Sequence, residues 1–285
     1  MKLISFRHDG RDSYGIVTGD GIVDAGRRLA PERPSLRTAL VAHDQLRDLA
    51  AEPADVALAE IDYLQPIPDP GRITCVGLNY RKHIEEVGAA TPTHPSLFAR
   101  FPHCQVAHGQ AMVRPRVSTR YDFEGELAFV IGTPGRHIAR ERALAHVAGY
   151  ACFNDGSLRD FQRDGSILAG KNFWHSGAFG PWLVTADEIA DPAALTLVTR
   201  LNGEEMQRSP IGDLLFDVAD LIAYISQIWP LQVGDVISTG TPSGVGLGRD
   251  PQIWMQSGDR IEVEIDGIGT LANTIVDEDG LPAAG

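Results

Sequence analysis

The stretch Tyr121-Asp122-Phe123-Glu124-Gly125-Glu126-Leu127-Ala128-Phe129-Val130-Ile131 decides how this 285-residue chain is read. As a β-strand, its period of two sends Phe123, Leu127, Phe129 and Ile131 to one face and Glu124, Glu126, Ala128 and Val130 to the other. Plain alternation with polar groups outward is one reading, since most charged side chains are exposed. The second face, however, is carboxylate at one end and apolar beyond it, the pattern of a pocket rim. Buried neighbouring carboxylates repel each other unless a cation neutralises them. All-oxygen ligation suits Mg²⁺, Mn²⁺ or Ca²⁺ rather than zinc.

Further short strand patterns lie on both sides of this one: Ile73 to Val76, Leu195 to Leu201, Val236 to Ser238 and Arg260 to Ile265. Few helices interrupt them. Leu214, Leu215, Val218, Leu221, Ile222, Ile225 and Ile228 recur at three- and four-residue steps and predict a helix from Ile211 to Trp229, stopped by Pro230. A second helix is expected from Arg140 to Val147. The mixture predicts an α+β, mostly β body rather than a βαβ sheet. Strands at Lys2 to Phe6 and Ser13 to Val17, with a helix from Ser35 to Ala51, make a small N-terminal α/β module. Three prolines in Leu64-Gln65-Pro66-Ile67-Pro68-Asp69-Pro70-Gly71 mark an extended connector. The expected division is a module at 1–65 and a catalytic domain at 66–285.

Composition narrows the partners. With 25 Lys and Arg against 38 Asp and Glu, the net charge is −13, which disfavours nucleic acid and anionic membranes without a basic patch. No apolar run approaches the length of a membrane span, and Met1 to His8 has no signal-peptide core, so a cytoplasmic protein is expected. Cys75, Cys104 and Cys152 lack paired spacing and read as packing residues.

Three other segments carry candidate chemistry. Asn154-Asp155-Gly156 with Arg159 and Asp160 offers a third carboxylate, although Asp-Gly alone marks a turn. His83 and Glu86, three apart after a strand end, would share a helix face, where the carboxylate can orient the imidazole as a general base; a solvated surface pair is the alternative. Lys171, between glycine and apolar residues, is a surface lysine or an oxyanion-stabilising cation. Gly240-Thr241-Pro242-Ser243-Gly244-Val245-Gly246 lacks the Gly-Lys-Ser/Thr ending of a phosphate loop.

Taken in order, these pieces resemble the fumarylacetoacetate hydrolase family over about residues 70 to 275, in the manner of its acylpyruvase-like bacterial members. Carrying the resemblance are Val76-Gly77-Leu78-Asn79-Tyr80 with His83 and Glu86, Phe123-Glu124-Gly125-Glu126-Leu127, Asn154-Asp155, Gly170-Lys171, Asn202-Gly203-Glu204 with Gln207, and Thr239 to Gly246. The resemblance implies a mixed β-sandwich roll, a homodimer, and one Mg²⁺ or Mn²⁺ per subunit. It places Glu124, Glu126 and Asp155 at the metal-ligand positions, His83 and Glu86 at the pair that activates water, and Lys171 near the substrate carbonyl. Gln162, Thr241 and Arg159 fall on substrate-contact positions. The implied activity is hydrolysis of a carbon–carbon bond in an acylpyruvate-type 2,4-diketo acid, such as fumarylpyruvate or maleylpyruvate, in aromatic compound catabolism. Oxaloacetate decarboxylation, isomerisation or hydration of an unsaturated 2-oxo diacid, and a catalytically silent metal-stabilised protein are the alternatives. The chain departs from the family pattern at Arg100, where lysine is common, at Gly156, where a larger residue is usual, and at Trp174, where aspartate is frequent. The residues Gly88 to Pro95, with little to pack, are expected to act as a lid.

Overall fold

The computed structural model describes residues 1–280, so the last five residues of the expected catalytic domain lie outside the described residues. The architecture is mostly β, with mixed sheets, as the sequence predicts. A twelve-stranded sheet has Gly125–Ile131 near its centre, flanked by Val147–Asn154 and Val236–Ser238; Ile73–Gly77 and Ser96–Arg100 continue it to one edge. On the other side come Gly177–Thr185 and then the N-terminal strands Lys2–His8, Arg11–Thr18 and Gly21–Asp24. Pairing of Lys2 with Val184 and Leu3 with Leu183 makes the N-terminal strands part of the same sheet. A five-stranded sheet of Glu204–Pro210, Thr196–Leu201, Arg260–Ile265, Gly269–Asp277 and Met112–Arg114 faces it.

The alternation in the central strand sorts its side chains between two cores. Phe123, Leu127, Phe129 and Ile131 pack with Leu197, Val263 and Leu271 of the five-stranded sheet and with Leu221, Ile222 and Ile225. Ala128 and Val130 pack on the opposite side with Phe153, Phe179 and the module residues Leu36, Leu40 and Leu46. Both faces are covered, so every residue of Gly125–Ile131 is buried. The carboxylates Glu124 and Glu126 therefore begin a face that runs on into a dry core.

The strand starts two residues later than the pattern predicts. Tyr121–Asp122 pairs instead with Ser157–Leu158, and Asp122 Oδ1 accepts from the amide of the next residue, Phe123, at 2.9 Å. The amide of Glu124 donates to Asn154 Oδ1 at 3.1 Å. These side-chain bonds replace ladder bonds and break the strand at Phe123 and Glu124.

The helices are shorter than expected for similar reasons. Of the stretch from Ile211 to Trp229, only Val218–Ile228 is α-helix, because Asp217 caps it, accepting from the Asp220 amide at 2.8 Å. The chain before the cap is drawn out by Asn79, whose carbonyl accepts from Leu215 at 2.7 Å and whose Oδ1 accepts from Phe216 at 2.8 Å. Arg140–His146 is a 3₁₀ helix rather than an α-helix. The expected helix from Ser35 to Ala51 is split into Leu36–Ala39, a 3₁₀ turn and His43–Leu49. Among the described residues no helix is long and apolar enough to cross a membrane, and the three cysteines are buried and unpaired.

Candidate active site

The central strand ends at a cavity of about 240 Å³, whose walls include His83, Glu124, Glu126, Asp155, Arg159, Gln162, Lys171 and Thr241. Eight of the nine site residues named from the sequence thus face one space. The ninth, Glu86, sits behind His83 and accepts at Oε2 from its Nδ1, 2.9 Å away. Both lie on the short helix Arg81–Glu86, where a three-residue step brings them to one face. With Nδ1 committed to Glu86, Nε2 is the ring atom left for proton transfer.

Glu124, Glu126 and Asp155 converge: one oxygen from each lies within 4.8 Å of the others, and all three are buried. Their environments differ. Arg159 Nη2 is 2.6 Å from Glu124 Oε1, and Lys171 Nζ is 2.5 Å from Oε2. Burial pushes the Glu124 carboxyl up, but Arg159, then Lys171 and His83, outweigh it and hold the group at about 2. Asp155 is gripped by Arg100 at Oδ1 and by Lys171 at Oδ2, the latter 2.6 Å away. Glu126 alone of the three has no ion pair among the described residues. Its Oε2 accepts from Ser238 Oγ at 2.5 Å and from the Gly240 amide at 3.0 Å. Burial, then the charges of Asp155 and Glu124, push its pKa well above the usual carboxylate value.

This donor set fits a hard divalent cation. With Asp122 included, four buried carboxylates face three buried cations, Arg100, Arg159 and Lys171. A negative charge is left over, and it falls on Glu126. A cation needs the ionised form of Glu126, which burial and the neighbouring carboxylates disfavour, so Mn²⁺ affinity should rise with pH from the acid range towards neutrality. In the metal-free protein the sign is the reverse: folding that raises a carboxyl pKa loses stability as pH climbs from the ordinary carboxylate range towards the raised value. Calorimetric titrations in buffers of different ionisation enthalpy, with melting curves with and without Mn²⁺, check both.

A glycine-rich loop organises the carboxylates through its backbone. The Gly240 amide bonds Glu126, Gly244 bonds Glu86 Oε1 at 2.8 Å, and Gly246 and Leu247 bond Asp122 at 2.7 and 3.0 Å. Gly244 has φ +104°, and a Cβ there would lie 2.2 Å from the Met206 carbonyl oxygen. Gln207 holds the opening of this loop, accepting from the Gly125 amide at 3.0 Å and donating to Thr241 Oγ1 at 2.8 Å.

Two residues that support the site carried no signal of their own in the sequence. Asp122 is fully buried and receives Arg159 Nε at 2.8 Å besides the loop amides. Arg100 stood out only as a departure from lysine; its guanidinium bridges Asp155, the Gly156 carbonyl and Ser176 Oγ, three acceptors that one ammonium would have to reach without a planar fork. The second departure also has a cause. A Cβ at Gly156 would lie 1.9 Å from the Ser176 carbonyl oxygen, so Gly156→Ala should cost about 3 kcal/mol in urea unfolding through overpacking. Trp174 stacks on His175 with ring centroids 3.9 Å apart, and it does not line the cavity. The expected lid, 88–95, connects the cavity residues Val87 and Ser96 without helix or strand, and His94 stacks on Tyr224 at 5.9 Å.

Comparison with known proteins identifies the family. Residues 72–276 match the family described as Fumarylacetoacetate (FAA) hydrolase C-terminal. The chain is 36% identical over 289 residues to the human protein named oxaloacetate tautomerase FAHD2A, mitochondrial, spanning 97% of this chain and 92% of that one. Over 247 residues it is 41% identical to oxaloacetate tautomerase YisK of Bacillus subtilis (strain 168), with 82% of each covered. Among solved structures, maleylpyruvate hydrolase from Sphingobium sp. SYK-6 in complex with manganese(II) ion and pyruvate superposes with a TM-score of 0.82 at 30% identity, over 97% of this chain and 99% of that one. A buried three-carboxylate site, a tethered imidazole and a matching fold over nearly the whole chain thus lead to one assignment: the chain belongs to the fumarylacetoacetate hydrolase family.

Proposed function

We propose that the protein is a metal-dependent enzyme acting on a small 2-oxo diacid, and that its reaction is the keto–enol tautomerisation of oxaloacetate. The observation that carries this reading is the placement of the Glu124, Glu126 and Asp155 carboxylates and of His83, bonded from behind by Glu86, on one cavity of about 240 Å³. The names of the human and Bacillus relatives support it. Glu124, Glu126 and Asp155 would hold one Mg²⁺ or Mn²⁺ per subunit, which would supply Lewis-acid polarisation of the substrate's keto group.

The chain does the rest. His83 Nε2 removes a proton from C3; the C–H pair becomes the C2–C3 double bond, and the C2 oxygen gains a proton. Glu86, itself fixed by the Gly244 amide, holds the imidazole in orientation. Lys171 Nζ stabilises negative charge on the substrate oxygen, and Arg159, Gln162 and Thr241 line the remaining wall. Residues 88–95 close over the substrate, so hydrogen exchange there should slow when a 2-oxo acid binds.

A second reading is favoured by the apolar side of the cavity, formed by Val87, Phe98, Ile167 and Leu247. This wall suits the acyl end of an acylpyruvate. His83 would then deprotonate a water that attacks the C4 carbonyl; cleavage of the C3–C4 bond releases pyruvate and a carboxylic acid. The protein should be incubated with Mg²⁺ and either oxaloacetate or a panel of acylpyruvates in ¹⁸O-labelled water. Faster enol–keto exchange without new products supports the first reading, and label in a released acid supports the second. Carbon dioxide release would make it a decarboxylase. Metal-induced stabilisation without turnover of any of these would leave a silent binding protein. The acting form is taken to be a homodimer, which sedimentation checks.

A further inference from the structure

We infer that Asn172 is a positioning residue that sets where Lys171 and Arg100 stand against Asp155. The inference rests on the metal-site reading above. The Asn172 side chain straddles Arg100 on the edge strand Ser96–Arg100. Its Oδ1 accepts from the amide of Phe101 at 2.7 Å, and its Nδ2 donates to the carbonyl of Ala99 at 3.0 Å. The same Nδ2 donates to the Leu168 carbonyl at 2.9 Å, tying the strand to the helix Ile167–Lys171. Both residues that flank Arg100 in sequence are therefore bonded to the residue that follows Lys171.

The two cations held in this way converge on one carboxylate. Arg100 takes Asp155 Oδ1, and Lys171 takes Oδ2 while also reaching Glu124 Oε2 at 2.5 Å. The separation of the cations fixes how the Asp155 carboxylate is turned, and one amide fixes that separation. The role needs an amide: donation to two carbonyls and acceptance from an N–H are required together, and no carboxylate, hydroxyl or methyl group of that size supplies both.

The consequence is distinctive in sign. Lys171 Nζ is paired with Glu124 Oε2 and Asp155 Oδ2, on two of the carboxylates that would hold a divalent cation, so it opposes the cation while placing the positive charge the substrate needs. Releasing it should help the first and harm the second. General damage to the fold would instead weaken both.

The test is Mn²⁺ titration, read by electron paramagnetic resonance, and steady-state turnover on the same preparations. For Asn172→Ala we expect tighter Mn²⁺ binding and kcat about tenfold lower, the latter the scale typical of residues that orient a metal site from outside it. Asn172→Asp, which keeps the size but cannot donate, should shift both in the same directions. In a Lys171→Met background, adding Asn172→Ala should change the Mn²⁺ affinity less than it does in the wild type, because only the Arg100–Asp155 contact is then left to shift and coupled residues are not additive. Unchanged affinity and kcat in the single variants, parallel weakening of both, or an Asn172 effect of undiminished size without Lys171 would each overturn the inference. If wild-type protein binds no Mn²⁺, the metal reading falls together with it; if wild-type protein binds and Asn172→Ala matches it, only the inference falls.

Discussion

His83→Ala should lower turnover by about two to four orders of magnitude, the usual contribution of a positioned acid–base group, while leaving Mn²⁺ binding essentially intact. The separation of effects follows from the geometry. His83 touches Glu86 through Nδ1, and the three carboxylates are held by other groups: Arg159, Lys171, Arg100, Ser238 and the Gly240 amide. Removing the imidazole deletes the proton carrier without removing a donor oxygen. Glu126→Ala should do the opposite, abolishing metal binding and with it all metal-dependent turnover. Parallel Mn²⁺ titrations and rate measurements check the pair. Full activity in His83→Ala would remove it from the proton-transfer step under either reaction.

Arg100→Leu should destabilise the metal-free protein by about 3–5 kcal/mol, the cost of stripping one partner from a buried ion pair. Both side chains are essentially inaccessible to water, at 0% for Arg100 and 1% for Asp155. Asp155 would keep Lys171, which it shares with Glu124, so the lower end of that range is expected. Added Mn²⁺ should recover part of the loss, since a bound cation replaces the missing charge. Urea unfolding in chelator and then in excess Mn²⁺ measures both effects. Equal midpoints for variant and wild type in chelator would show that Arg100 contributes no net stability.

What the sequence shows directly is whatever repeats with a period. Phe123 to Ile131 announced a strand, and the carboxylates heading its otherwise apolar second face announced a pocket rim. His83 and Glu86 were legible as a pair because three residues on a helix bring side chains together. Other features depend on partners far away in the chain. Asp122 looks like any acid before a strand until Gly246, Leu247 and Arg159 arrive around it. Arg100 becomes part of the site only when the edge strand lies beside Asp155. Helix lengths were overestimated where a side chain outbid the periodic pattern: Asn79 keeps Leu215 and Phe216 extended although the apolar spacing continues through them. Trp174 shows the converse, a departure from the family pattern that lies away from the cavity.

The strand order at the centre of the large sheet bears on how the N-terminal sixty-odd residues could ever be dispensed with. Because Lys2 and Leu3 zip onto Val184 and Leu183, trimming the chain up to the proline-rich connector would leave a raw, hydrogen-bond-hungry border beside Leu183 and Val184. A shortened relative would need a substitute cover for that border, supplied by another segment or another molecule.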